Sequence, residues 1–114
     1  MSSTRRVIVP LIALLLCASF PSGVEAQDED TDARRTFDEA ARQFDAHNYA
    51  LALQSFTEVY EQLTAAWHAR AGYVLYNIGR CNEELGRMVA ARDAFARYLS
   101  EADEAAPYRE EVRD

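Results

Sequence analysis

Residues 74–99 read VLYNIGRCNEELGRMVAARDAFARYL, two helices meeting at a sharp corner. Val74, Ile78, Cys81 and Leu85 recur at helical spacing, so one face of the first helix is apolar. Gly86 follows where a helix ends in a left-handed residue, a conformation that glycine enters without a Cβ penalty. The second helix begins at once. It turns Met88, Ala91, Phe95, Tyr98 and Leu99 inward and leaves Arg87, Arg92, Asp93 and Arg97 to solvent or edges.

The same arrangement stands upstream. Phe37, Ala40, Ala41 and Phe44 form one helical face, predicting a helix from about Asp32 to Ala46. His47-Asn48 interrupts it, and Asn48 is suited to cap the next helix through its side-chain oxygen. That next helix has the widest apolar stripe in the chain, Tyr49, Ala52, Leu53, Phe56, Val59, Tyr60 and Leu63. Shifting the sequence by 39 residues pairs Ala40 with Gly79, Ala46 with Leu85, Tyr49 with Met88, Ala52 with Ala91, Phe56 with Phe95 and Tyr60 with Leu99, without a gap. The pairs share a physical logic: small residues at 40, 52, 79 and 91 let helix backbones approach, and the aromatics at 56 and 95 fill the space beside them.

In Leu75-Tyr76-Asn77-Ile78-Gly79-Arg80-Cys81, then Leu85-Gly86-Arg87, then Ala91, Phe95 and Tyr98-Leu99, the chain resembles the tetratricopeptide repeat family over roughly residues 33–102. The resemblance implies an all-α fold of two antiparallel helix hairpins stacked as a fragment of an α-solenoid. The first repeat would span 33–66 and the second 67–104, and a short capping helix 105–114 would open with Pro107 in its first turn. The first repeat departs from the family pattern, with Glu39 at a usually apolar position and His47 in place of the turn glycine. Neither repeat has the family's closing proline at its usual place, and the period exceeds the usual length of about 34 residues.

At the N-terminus Arg5 and Arg6 precede an apolar run over 7–20, and Pro21-Ser22-Gly23 end it. Val24-Glu25-Ala26 then offers an Ala-x-Ala-like site, so residues 1–26 are expected to be a signal peptide cut before Gln27. The run is shorter than the roughly 20 residues of a settled membrane span. The alternative is retention as an anchor. Export would place the chain in a bacterial periplasm or outside the cell, and residues 27–32 would be a disordered, solvated acidic tail.

Residues 27–114 hold ten arginines and eighteen carboxylates. That excess of negative charge repels phosphate backbones and anionic lipid, which argues against nucleic-acid and membrane-surface roles. Cys81 would be the one cysteine of the processed chain, so packing rather than an internal disulfide must stabilise it.

Little in the sequence points to catalysis. Cys81 lies on an apolar face as a small buried hydrophobe, and His47 and His68 fall in connectors without ligand-spaced companions. Asp28, Asp30, Asp32 and Glu39 fall on a calcium-loop spacing, but Ala33 stands where the loop needs glycine. No metal, cofactor or enzyme activity is expected. By the family resemblance the first helix of each pair lines a concave groove, which makes Phe37, Ala41, Tyr73, Tyr76, Asn77, Arg80 and Glu84 candidate contacts for a partner peptide or helix. The sequence thus points to a non-catalytic scaffold that holds a protein partner. The alternative is an architectural homo-oligomer in an envelope assembly, since two repeats leave apolar ends and stable arrays need about three units or caps.

Overall fold

A computed structural model describes residues 20–113, with side chains from Thr31 onward. Among the described residues every regular element is helical: α1 (Phe20–Asp45), α2 (Tyr49–Ala65), a 3-10 turn (Ala71–Tyr73), α3 (Val74–Glu84), α4 (Met88–Glu101) and α5 (Arg109–Arg113). The chain divides into residues 1–31 and a compact unit, Asp32–Asp114, which carries all the packing described below. The expected signal peptide lies largely outside the described residues. No described helix is long and apolar enough to cross a membrane.

Residues 27–32, expected to be an unstructured tail, instead lie inside α1. No glycine or proline occurs between Val24 and Ala71, so nothing in the backbone chemistry stops a helix there. The acidic composition that suggested a tail is compatible with exposed helix, and Asp32 pairs with Arg35 at 3.5 Å.

The two hairpin corners have the same hydrogen bonds, 39 residues apart. After α1 the amides of Ala46, His47 and Asn48 donate to the carbonyls of Arg42, Phe44 and Gln43 at 3.0, 2.9 and 2.8 Å. After α3 those of Leu85, Gly86 and Arg87 donate to Cys81, Glu83 and Asn82 at 3.0, 3.0 and 2.8 Å. Each corner is a Schellman motif, with His47 at φ 65° and Gly86 at φ 74° as its left-handed residue. Asn48 stands at the N-cap of α2 but makes no side-chain cap bond; its backbone N–H closes the corner instead. His47 tolerates the conformation while its ring stacks on Tyr49 at 5.7 Å.

Small residues set how closely the helices approach. Ala40 and Ala52 are fully buried in one core with Phe56, Val59, Val74 and Cys81. Gly79 is tighter still, since a Cβ there would run into the Phe95 ring, 2.6 Å from Cδ1 and 2.8 Å from Cζ. A second core gathers Leu75, Tyr98, Ala102 and Ala106. Gly72 brings the 3-10 turn against the end of α4, where a Cβ would stand 2.9 Å from the Ala102 backbone nitrogen.

Polar bonds tie α2 to α4. The Tyr60 hydroxyl donates to Glu101 Oε1 at 2.6 Å and accepts from Arg97 Nη2 at 2.6 Å, and the Arg97 guanidinium lies 5.2 Å over the Tyr60 ring. Beyond α4, Arg109 folds back to donate to the carbonyls of Leu99, Ala102 and Asp103 at 3.2, 3.1 and 3.3 Å. These include carbonyls that a helix end leaves unpaired, so one cation satisfies several of them and holds the C-terminal segment in place. Pro107 stays outside α5. Its carbonyl accepts from the buried Tyr98 hydroxyl, and Tyr108 turns left-handed (φ 64°) before the helix starts at Arg109.

A third Schellman corner ends α2, where the amides of Trp67 and His68 donate to Thr64 and Leu63 at 3.0 and 2.9 Å. Its left-handed residue is Trp67, at φ 55° and 94% exposed, so the conformation is strained without compensating packing. Trp67→Gly relieves about 1–2 kcal/mol of left-handed strain against the roughly 0.4–1 kcal/mol that glycine adds in unfolded-chain entropy. Urea unfolding should therefore show a net gain of about 0.5–1 kcal/mol. A loss would show that the indole has a packing role.

Candidate interaction site

The seven groove candidates lie on α1, the 3-10 turn and α3. Phe37, on α1, packs edge-on against Phe56 with ring centroids 5.3 Å apart, inside the first hairpin. Ala41 lies half-buried on the same helix. Tyr76 stands 39 residues after Phe37 and makes the corresponding contact with Phe95, at 6.1 Å. Its ring also stacks on Tyr108 at 4.6 Å, and its hydroxyl donates to Glu111 at 3.4 Å. Burial, and next the Glu111 charge, push the Tyr76 phenol above its ordinary pKa. Tyr73 packs against the second core and donates to Asp103 at 2.8 Å. Arg80 is held by Glu83 at 3.0 Å and Glu84 at 3.7 Å. Asn77 is half-buried and Glu84 exposed on α3.

Tyr76 and Arg80 do share a site: they form one wall of a cleft of about 570 Å³ between α3, α4 and α5. Ala91, Phe95 and Leu99 make its apolar floor, Val112 and Glu111 close one end, and Met88 and Arg92 stand on α4 beside the opening. Met88 is 59% exposed and its neighbour Val89 is 74% exposed, so the apolar surface continues past the cleft.

The difference between the hairpins lies in what covers the aromatic. Phe56 is 2% exposed because Val74, Ile78 and Cys81 of α3 belong to the core around it. Phe95 is only partly buried and faces the cleft. By residue type Arg92 belongs to a solvent or edge face, and no periodic signal singles out Ala96, Glu111 or Val112. The available signal was the 39-residue alignment itself, which sets Arg92 opposite Leu53, a charge where the first hairpin has a core leucine.

The chemistry elsewhere is quiet. Cys81 is fully buried, and desolvation pushes its thiol up to about 11, so the nucleophilic thiolate is scarce at neutral pH. His68 Nδ1 accepts from the Arg70 amide at 3.1 Å, a turn role. Residues 28–39 lie on a helix and not in a calcium-type loop. Among the described residues no three His, Cys, Asp or Glu side chains gather as metal ligands.

No family model matches the chain, nor does any curated protein or solved structure.

A thiol raised from 9.0 to about 11 binds its proton more tightly in the folded state. Its contribution to stability is complete below the lower value and is lost as pH climbs through the higher one. Unfolding free energy should fall between pH 9.0 and about 11, and Cys81→Ala should fall less steeply. The buried tyrosines titrate in both proteins, so the difference in slope isolates the thiol. Equal slopes would mean that Cys81 is not desolvated.

Proposed function

We propose that this chain is a non-catalytic protein-interaction scaffold of the bacterial envelope, built from two tetratricopeptide-like hairpins, which binds a peptide or helix of another protein. The cleft beside the second hairpin carries the reading. It is concave and floored by apolar side chains, with charged groups at its margin, the surface chemistry with which helix-binding grooves operate. The acidic balance of residues 27–114 disfavours nucleic acid as the ligand.

The family assignment rests on the 39-residue recurrence, to which the two like-bonded corners at His47 and Gly86 add support. Export rests on Arg5-Arg6, the apolar run and the Val24-Glu25-Ala26 site. An architectural homo-oligomer is the second reading, favoured by one observation: Met88 and Val89 extend the apolar surface beyond the cleft.

Capture by the tagged chain from its own cell-envelope extract tests the choice, beside a Met88→Glu/Ala96→Glu variant whose changes fall on exposed positions. The proposal expects a single different protein, retained by the parent and lost by the variant. Recovery of only the chain itself, with the parent multimeric and the variant monomeric by sedimentation, would overturn it in favour of the homo-oligomer.

A further inference from the structure

The molecule contains its own example of a filled seat. In the first hairpin, the apolar face of α2 around Phe56 is covered by α3, which presents Val74, Ile78 and Cys81 at i, i+4 and i+7. Moving 39 residues along, α4 offers a like face, with Phe95 for Phe56 and Leu99 for Tyr60 around a buried Ala91 in place of Ala52, and among the described residues the cleft lies over it. Among the described residues only the short α5 reaches it, placing Val112 and Glu111 at one end, where Arg109 fastens the segment to the last carbonyls of α4.

The seats differ in charge. Leu53 packs against the first core, whereas its counterpart Arg92 lines the cleft with its side chain exposed. The neighbouring Arg80 is already neutralised by Glu83 and Glu84, while Arg92 has no carboxylate partner among the described residues. A covering helix that merely copied α3 would leave the Arg92 charge unpaired at the edge of an apolar contact, which is unfavourable.

Resting on the interaction-scaffold reading above, we infer that the cleft is the seat of one amphipathic helix from a partner protein. That helix presents aliphatic or small side chains at i, i+4 and i+7 to Met88, Phe95 and Leu99, and a carboxylate to Arg92. The aliphatic spacing is read from α3, and the carboxylate from the unpaired guanidinium. Specificity follows from the same pair of features, because an apolar helix lacking the acid strands the charge and an acidic helix lacking the apolar face leaves the floor wet.

The probe is a synthetic alanine-rich helical peptide carrying Val, Ile and Ala at the α3 spacing with glutamates flanking that face, beside a twin with lysines in place of the glutamates. Each is titrated into the full chain and followed by amide chemical shifts and fluorescence anisotropy. The expected result is saturable binding of the glutamate peptide, with shifts centred on Met88–Leu99, Tyr76, Arg80 and Val112. Arg92→Glu should weaken that binding roughly tenfold and transfer preference to the lysine peptide, as removing one charge-assisted bond predicts. A far-ultraviolet spectrum of the variant checks that the exposed substitution leaves the helices intact.

Shifts centred on Phe37, Ala41, Asn77 and Glu84 would overturn the seat while leaving the scaffold reading standing. Equal binding of the two peptides would overturn the acidic requirement. Saturation of the cleft by a second copy of the chain, detected by sedimentation and abolished by Met88→Glu, would overturn the partner helix and the scaffold reading together.

Discussion

The Phe95 ring lies where a side chain at position 79 would have to be, and the separation of α3 from α4 follows from that single approach. Glycine is costly in a helix interior, roughly 1 kcal/mol against alanine, so its presence in α3 needs a compensating gain. The gain is a short interhelical distance, with the edge of an aromatic ring brought against backbone. Ala40 and Phe56 form the looser counterpart in the first hairpin, where both residues are buried in one core. From these approaches follow the two helix pairs and the apolar face that each presents.

Those faces do not end alike. The first is sealed by α3, and its core runs through Ala40, Ala52, Phe56, Val59, Val74 and Cys81. The second is only partly covered by a five-residue helix pinned by Arg109. A helix so short is not stable by itself; it is held by Tyr108 stacked on Tyr76, by the Arg109 bonds and by Val112 packed against the second core. The result is an open apolar cleft beside a guanidinium, the property on which the functional reading turns.

Much of this was legible in the residues. The helical periodicity around Val74–Leu99, the corner at Gly86 and the pairing of small with aromatic positions all follow from side-chain size and spacing. The structure is all-helical accordingly. Other features were hidden for physical reasons. Acidic residues 28–32 suit either a tail or an exposed helix, and local composition does not separate the two. Asn48 suits a side-chain cap by residue type, yet its amide is the group that closes the corner. Trp67 adopts a left-handed conformation that no propensity assigns to tryptophan, because the Schellman geometry fixes it. Gly72 and Arg109 act across 30 and 10 residues, and contacts at such range leave no periodic trace. In the candidate site, Tyr76 and Arg80 were visible as aromatic and charged positions on α3. Arg92 was not, since a lone arginine on an amphipathic helix ordinarily marks a solvated face.

The close approach at position 79 is tested most directly by urea unfolding of Gly79→Ala in the parent and in a Phe95→Leu background. Two effects oppose each other: alanine gains roughly 1 kcal/mol of helix propensity, and the clash with the ring costs about 1–3 kcal/mol. Net destabilisation is expected in the parent and stabilisation where leucine makes room. Stabilisation in both backgrounds would show that α3 and α4 do not meet at this distance and would contradict the account from its first step.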